Sequence, residues 1–391
     1  FQSSSGHFLW DEATQGLILS AFFWGYCVTY LPCGLITQNI GGKIMISAGI
    51  LASSVCTLLI PIIVETYGAV GITILRFIIG LSQGPMFPGF NVLLSQWAPK
   101  KERGRLGAIV FAGSYLGSAI SLTLSGIIIY SWSWKTVFYI FGSIGLIWLI
   151  FWQFICYEQP SHHPFISETE LSYLNEEITK AKQKDIPPVP WKSILTSLPL
   201  WSLVIVQFGH DWGLFTVVAD LPKYMRGVIH FSVTENGLLS SAPYLVMWLF
   251  AVACGWTIDW LVKEKNIDLT TVHKIFGTIG AIGPAAGIVG ASYCGGHKTL
   301  VATLFAVAFG LMGAYVPSVW LGTLALNPNY AGTVTSLVGG IGSTSGVFAP
   351  YVVGILTPNV RHFKYTNQYK SWGTLVLFSF KKKVPVNPSL S

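Results

Sequence analysis

The sequence predicts an all-α membrane protein that crosses the bilayer many times, and its composition supports this directly. Asp, Glu, Lys and Arg make up 10% of the 391 residues, whereas apolar types make up 52%. Soluble proteins carry roughly 25% charged residues, so a soluble fold of this composition would expose extensive apolar surface to water. The charged residues also cluster between long apolar runs, which is typical of bilayer-spanning helices.

Ten of these apolar runs reach the roughly 20 residues that a spanning helix needs. Gly and Pro occur inside several of them, and lipid-embedded helices tolerate both residues when neighbouring helices satisfy the freed backbone groups. The predicted spans are 15–37, 44–64, 68–93, 105–130, 135–157, 199–222, 237–260, 272–293, 299–322 and 331–357.

The connections between the runs alternate in basic charge. One side carries twelve Lys or Arg residues and the other carries four. The positive-inside rule makes the first side cytoplasmic. Because these cations are spread over short connections, the formal charge of +7 indicates membrane topology and no nucleic-acid partner.

A long polar connection divides the chain into two sets of five runs. It contains a helix-start pattern at Ser167–Glu168 and a Pro-rich exit. We predict an amino-terminal half (1–157), a cytoplasmic linker (158–198), a carboxyl-terminal half (199–357) and a divergent tail (358–391).

The two halves carry similar motifs in corresponding places. Gly34 precedes Gln38 by four residues at the end of the first run, and Gly255 precedes Asp259 by four at the end of the seventh. A Lys follows each motif. Transporters built from two similar halves show weak internal symmetry of this kind, so we predict a pseudo-repeat.

One arginine lies within an apolar run. At ~100° per residue, Arg76 shares a helix face with Gln83 and Phe87, and Asn91 lies nearby. A cation at bilayer depth is expensive, which favours a role in capturing an anionic substrate. The alternatives are an arginine bonded to backbone carbonyls inside the bundle, or one that reaches the outer surface.

The sixth run carries a second polar patch. Gln207 and Asp211 are four residues apart and share a helix face, so they could pair. His210 is interpreted either as a hydrogen-bonded packing residue or as a ligand or proton relay. Since adjacent helical residues diverge by ~100°, we expect His210 and Asp211 not to point into one cavity together.

Motifs for enzymatic chemistry are missing from the polar segments. The sequence shows no Ser/His/Asp set, zinc motif or phosphate-binding loop there, which argues against an enzyme and against a bound cofactor or metal. The six cysteines lie in or beside apolar runs and are interpreted as small apolar residues. An anion channel is the main rival to a transporter, although no ring of like charges supports it.

Several motifs together resemble one transporter family. They are Trp10–Gly16 (WDEATQG), Phe22–Tyr26 (FFWGY), Trp97–Arg103 (WAPKKER), Glu235–Tyr244 (ENGLLSSAPY) and Pro328–Gly332 (PNYAG). From about residue 8 to 359 the chain resembles the anion:cation symporters of the major facilitator superfamily. That family includes sialin, the vesicular glutamate transporters and the type I sodium–phosphate cotransporters. The chain is also similar to insect members named as inorganic phosphate cotransporters.

The resemblance implies the major facilitator fold of two pseudo-symmetric helical halves. Family members have twelve helices, so the ten runs correspond to helices two to eleven. The first and last helices are then expected to be missing, since the chain starts at Phe1 and its tail offers only the short apolar piece 372–380.

The resemblance also implies a function and a site. We expect a monomer that moves a small anion, phosphate-like or carboxylate, across a plasma, lysosomal or vesicular membrane by alternating access. The family places a substrate-binding arginine at Arg76. The predicted substrate site consists of Arg76, His210, Tyr26, Gln83, Asn91 and Phe215, and the predicted coupling or gating residues are Asp211, Asp259 and Gln38.

The chain departs from the family where protons are handled. Gln83 stands where family members have Glu, and Asn91 and Leu19 stand where some have His. Gln, Asn and Leu do not titrate, which favours Na⁺ over H⁺ as the coupling ion. A sialin-like, proton-coupled transporter of organic anions or acidic sugars is the alternative. Gln38 also replaces an expected Asp, which weakens a charge network at the cytoplasmic face.

Overall fold

The structure is a computed structural model that describes residues 10, 12–99, 102–179, 189–227, 233–293, 298–326 and 330–349. Helices account for nearly all of these residues, and no strand occurs among them. The helices are α1 (Glu12–Ile40), α2 (Gly42–Gln83), α3 (Met86–Trp97), α4 (Arg103–Ser131), α5 (Trp134–Ile155), α6 (Glu168–Thr179), α7 (Trp191–Leu195), α8 (Leu198–Gly227), α9 (Val233–Glu264), α10 (Leu269–Tyr293), α11 (Lys298–Met312), α12 (Tyr315–Leu326) and α13 (Ala331–Ser343).

The helices carry the apolar surface that a bilayer requires. Within the described residues, six stretches are long and apolar enough to cross a membrane: Thr14–Ile40, Gly42–Trp97, Gly104–Ser131, Trp134–Ile155, Ser241–Glu264 and Thr303–Thr323. On α5, Phe154 is 75% exposed and Ile155 is 69% exposed, so this helix presents large apolar side chains outward. Such a surface suits lipid and not water.

The second predicted span and the first part of the third lie on one continuous helix, α2. The runs 44–64 and 68–93 lie on α2 and α3, and α2 bends sharply at Gly68. The backbone there adopts φ 58° and ψ −139°, a conformation that a glycine reaches without a steric penalty. A second interruption, at Gly84 and Pro85, separates α2 from α3. Likewise the ninth predicted run, 299–322, is divided between α11 and α12.

The connection between the halves contains the predicted helix. It is α6, and its start is capped as the Ser-x-x-Glu pattern predicts, because the Glu170 N–H donates to Ser167 Oγ at 3.2 Å. The predicted tail, 358–391, and the end of the tenth run lie outside the described residues.

Two helix pairs form the largest contacts between the described parts of the two halves: α4 lies along α9, and α1 lies along α13. Glycines allow both approaches. A Cβ on Gly34 would lie 2.7 Å from the Gly332 carbonyl oxygen, and one on Gly255 would lie 2.4 Å from the Ala108 Cβ. The two glycines identified in the pseudo-repeat therefore make equivalent contacts with the opposite half.

Candidate functional site

Arg76 lies in the part of α2 that follows the Gly68 bend, and it is partly buried. The other Lys and Arg residues of the described helices lie in the first or last two turns of their helices. Among the described residues, no hydrogen bond or ion pair reaches the Arg76 guanidinium. Arg76 is thus a cation at membrane depth whose acceptor is not supplied by the described protein.

Close contact with α1 fixes the position of this part of α2. A Cβ on Gly80 would lie 2.0 Å from the Phe22 carbonyl oxygen, and one on Gly25 would lie 2.1 Å from the Phe77 carbonyl oxygen. The two backbones therefore touch one turn away from Arg76. Tyr26, on the same part of α1, stacks on Phe22 with ring centroids 5.6 Å apart.

The predicted polar stripe continues across the break between α2 and α3. Gly84 (φ −51°, ψ −40°) and Pro85 (φ −74°, ψ −7°) stay close to helical geometry, so the stripe keeps its approximate direction. Phe87 stacks on Trp320 of α12 with ring centroids 4.7 Å apart. The face that carries Arg76 is therefore directed toward the carboxyl-terminal half.

The two other polar residues of the stripe have different surroundings. Asn91 is fully buried, and its Nδ2 donates to Thr335 Oγ1 on α13 at 2.7 Å. Asn91 thus joins the two halves on the predicted cytoplasmic side. Gln83 is partly buried, and its side chain makes no hydrogen bond to another described residue.

The polar patch on α8 forms a hydrogen-bonded network. Gln207 Nε2 donates to Asp211 Oδ2 at 2.7 Å, which confirms the predicted pair. His210 Nδ1 lies 3.2 Å from Asp211 Oδ1, so the two adjacent side chains meet despite their diverging Cα–Cβ directions. The Tyr315 hydroxyl, on α12, donates to Gln207 Oε1.

Tyr315 is the residue of this network that the sequence did not reveal. Its ring stacks on His210 with centroids 3.6 Å apart and planes 11° apart. A tyrosine inside an apolar run looks like packing, and no spacing relates it to α8. Gly342 of α13 completes the enclosure, since a Cβ there would lie 2.2 Å from Gln207 Cγ.

Phe215 lies one turn beyond Asp211 and contacts the amino-terminal half. Its ring meets Phe23 of α1 edge to face at 4.5 Å. Gly346 packs on the same Phe23 ring. Phe215 therefore takes part in an aromatic contact between the halves on the predicted outer side.

Asp259 and Gln38 lie at the predicted cytoplasmic ends of their helices. The Arg105 N–H of α4 donates to Asp259 Oδ2 at 2.6 Å, and Thr333 Oγ1 of α13 donates to Gln38 Oε1 at 3.3 Å. Gln38 is twelve residues beyond Tyr26, or about 18 Å along α1. These two residues therefore join the halves at one face, which also holds the contact of Asn91 with Thr335 and lies far along α1 from Tyr26.

The described residues offer no metal centre: no group of three or more His, Cys, Asp or Glu side chains among them could hold a metal ion. The described cysteines, which are Cys27, Cys33, Cys56, Cys156 and Cys254, are free thiols.

A bundle of apolar helices with a buried arginine and paired contacts between its halves defines a membrane transporter. The family model described as Major Facilitator Superfamily matches residues 3–350. The chain therefore belongs to the major facilitator superfamily, and it is a multi-pass membrane transporter and not an enzyme.

Relatives support the predicted resemblance to anion:cation symporters. The chain is 37% identical over 357 residues to a Drosophila ananassae protein named "Putative inorganic phosphate cotransporter", covering 90% of this chain and 74% of the relative. It is 38% identical over 352 residues to Homo sapiens sialin, covering 90% and 70%. It is 33% identical over 360 residues to the Bos taurus vesicular glutamate transporter 2, covering 90% and 61%.

Solved structures show the same fold. The structure of the proton:xylose symporter XylE bound to 6-bromo-6-deoxy-D-glucose matches with a TM-score of 0.73 and 14% sequence identity. The match covers 95% of this chain and 86% of that one. At this identity the likeness establishes the fold and nothing about the substrate.

Proposed function

We propose that the protein is a secondary active transporter that moves a small anion by alternating access, with Arg76 as the group that binds the anion. The observation that carries the proposal is the position of Arg76. It is a guanidinium at membrane depth, on the face directed toward the other half, and no described residue pairs with it. The cost of placing a cation there is about 2.5–3.5 kcal/mol on insertion scales, and a bound anion would offset it.

The substrate class follows from the chemistry of a guanidinium. Its planar N–H donors match the paired oxygens of a carboxylate or a phosphate. The relatives named for phosphate, glutamate and sialic acid transport are consistent with either oxyanion. We assign the protein, acting as a monomer, to a plasma, lysosomal or vesicular membrane.

The contacts between the halves supply the gates that alternating access needs. Hydrogen bonds between described residues join the halves on the predicted cytoplasmic side, and they include Asn91 to Thr335, Thr333 to Gln38, and Arg105 to Asp259. Phe23 meets Phe215 on the predicted outer side. The network around Asp211 lies between these levels, and Arg76 lies one turn to the outer side of Gly80, which packs at the level of Phe22 and Tyr26.

The test is uptake of labelled phosphate, sialic acid and glutamate into proteoliposomes. Arg76→Ala should reduce uptake of the accepted anion at least about tenfold, since a charge-assisted hydrogen bond contributes about 1.5–3 kcal/mol. Arg76→Lys keeps the charge but loses the paired donors, so it should show an intermediate loss.

The control is Lys265→Ala. Lys265 is exposed between α9 and α10, where its Nζ lies over the Trp260 ring at 5.4 Å. Lys265→Ala removes one positive charge, as Arg76→Ala does, but leaves the membrane interior unaltered. Uptake should therefore stay unchanged. Normal uptake by Arg76→Ala would remove Arg76 from the mechanism. Unitary currents in a planar bilayer would show a channel instead of a transporter.

A further inference from the structure

His210 has a buried ring nitrogen with no partner. Its side chain is 6% exposed, and Nδ1 is directed at Asp211. Nε2, on the opposite edge of the ring, is buried and has no hydrogen-bond partner among the described residues. Buried polar atoms are nearly always satisfied, so an orphan nitrogen on an imidazole indicates a ligand or a proton that comes and goes.

The neighbouring carboxylate is arranged to hold a protonated imidazole. Asp211 Oδ1 faces His210, and Asp211 Oδ2 accepts from Gln207, whose own oxygen accepts from Tyr315. This chain of donors fixes the carboxylate and leaves Nδ1–H directed at it. A carboxylate beside an imidazole stabilises the positive form.

The same arrangement does not suit a sodium ion. Hard cations bind oxygen lone pairs, and both carboxylate oxygens of Asp211 already face nitrogen donors. A sodium ion at Asp211 would lie beside the N–H donors of Gln207 and His210, and no group of three or more His, Cys, Asp or Glu side chains among the described residues could hold a metal ion. The Gln207 oxygen is likewise engaged by Tyr315.

We infer that the His210–Asp211 pair is the protonation site through which a proton travels with the anion, so that the coupling ion is H⁺ in place of the Na⁺ that the sequence favoured. The inference rests on the proposed function. A proton from water on the predicted outer side forms an Nε2–H bond, and Asp211 balances the resulting imidazolium. After the halves rock, the Nε2–H bond breaks and the proton passes to cytoplasmic water, which leaves the pair unchanged.

Among the described residues, the titratable groups that interact with Asp211 from other helices are phenols and one thiol. Tyr26, Cys27 and Tyr30 of α1, Tyr115 of α4 and Tyr315 of α12 lie close enough to Asp211 to interact with its charge. Tyr244 of α9 lies beside Tyr115, and His273 of α10 is engaged by the Ser318 carbonyl oxygen. The described part of α13 presents no titratable side chain. Ordinary phenols and thiols are neutral at pH 7, which leaves His210 and Asp211 to change charge.

The His210–Asp211 pair can carry a proton, which other polar residues of the predicted site cannot do. Gln83 and Asn91 cannot carry a proton, and Asn91 is committed to Thr335. In this chain the titratable group lies on α8, in the carboxyl-terminal half, while the anion-binding arginine lies in the amino-terminal half. The two ions would then be held on opposite halves and brought together by the rocking movement.

The experiment separates proton coupling from anion binding. Proteoliposomes containing the protein are given labelled phosphate, sialic acid or glutamate under an inward pH gradient, without Na⁺. A gradient of one pH unit drives about tenfold accumulation of an anion that moves with one proton. Trapped pyranine reports acidification of the lumen when the anion is added. Exchange of labelled for unlabelled anion is measured in parallel, because exchange requires no net proton movement.

His210→Gln should lose the roughly tenfold accumulation and the pyranine response while it retains exchange. Asp211→Asn should also reduce accumulation while it retains exchange, because the anion that balances the imidazolium is gone. His273→Gln is the matched control and should behave as the unaltered protein does. If His210→Gln fails in exchange as well, Asp211→Asn decides: reduced accumulation with retained exchange supports the inference, and accumulation equal to that of the unaltered protein overturns it.

Two results would contradict the inference and leave the proposed function standing. One is full proton-driven accumulation by His210→Gln, and the other is accumulation by the unaltered protein that requires Na⁺ and ignores pH. Both leave anion transport intact. Absence of uptake and exchange for all three anions would instead contradict the proposed function.

Discussion

The carboxylate of Asp259 caps a helix that belongs to the opposite half of the molecule. The Arg105 N–H, the third amide of α4, donates to Asp259 Oδ2 at 2.6 Å. The residue that precedes α4, Glu102, makes no side-chain cap of its own and binds the Arg105 guanidinium at 2.8 Å. Asp259 of α9 therefore acts as an N-cap of α4, because it accepts a hydrogen bond from one of the free amides at the start of that helix.

We expect Asp259→Ala to loosen the contact between the halves at this face. Loss of an N-cap costs about 1 kcal/mol, which should raise amide hydrogen exchange at residues 104–108 about fivefold. Exchange is measured by mass spectrometry in nanodiscs. The control is Asp268→Ala, since Asp268 caps its own helix by accepting from the Thr271 N–H at 3.3 Å. That variant should change exchange only near the start of α10, and equal effects of the two variants on residues 104–108 would contradict the prediction.

Gln38 is the counterpart of Asp259 in the pseudo-repeat, and it makes a weaker contact. It accepts one hydrogen bond from the Thr333 hydroxyl, while its buried Nε2 has no partner. Thr333 is the third residue of α13, as Arg105 is of α4. The two halves are thus joined unequally at their predicted cytoplasmic face, since Asp259 accepts from a backbone N–H of α4 and Gln38 accepts only from a side chain of α13.

Gln38→Glu should strengthen this contact. The carboxylate removes the orphan donor and places a negative charge at the N-terminus of α13, which contributes about 0.3–1 kcal/mol. We expect slower amide exchange at residues 332–336 and slower anion transport, because the closed cytoplasmic face becomes harder to open. Gln153→Glu is the control, since Gln153 is exposed and its Nε2 donates to Ser47 within the amino-terminal half. Faster exchange at 332–336 in Gln38→Glu would show that the charge is not accommodated.

Much of the fold follows from the sequence because membrane helices must satisfy their backbone groups internally. The Gln207–Asp211 pair could be predicted from the sequence, because a spacing of four residues places both side chains on one helix face. The role of Tyr315 could not be predicted from the sequence, because it lies on a different helix, 108 residues from Gln207. The contact of His210 with Asp211 depends on side-chain rotamers, which the direction of the Cα–Cβ bonds does not determine.

The glycine contact between α1 and α13 sets how closely the halves can approach. A Cβ on Gly34 would lie 1.8 Å from Ser336 Oγ and 2.7 Å from the Gly332 carbonyl oxygen. The serine could turn away, but the backbone oxygen cannot. Gly34→Ala should therefore cost about 1–3 kcal/mol in the closed cytoplasmic face, as overpacking typically does.

We expect Gly34→Ala to show reduced anion transport and faster exchange at residues 332–336. Gly113→Ala provides the comparison, because a Cβ on Gly113 meets nothing within 4 Å. Alanine is also the better helix former there, so this variant should be neutral or slightly more stable. Transport by Gly34→Ala equal to that of Gly113→Ala would show that α1 and α13 need not approach so closely.

Tyr315 links the α8 network to α12 through one hydroxyl, and Tyr315→Phe removes only that group. The ring and its stacking on His210 remain, but Gln207 Oε1 loses its donor in a buried site. An unsatisfied buried acceptor costs about 1–3 kcal/mol, so the melting temperature in nanodiscs should fall. Tyr67→Phe removes a hydroxyl from a side chain that is 69% exposed, and it should leave the melting temperature unchanged. An unchanged melting temperature would mean that Gln207 finds another donor and that Tyr315 serves α8 by stacking alone.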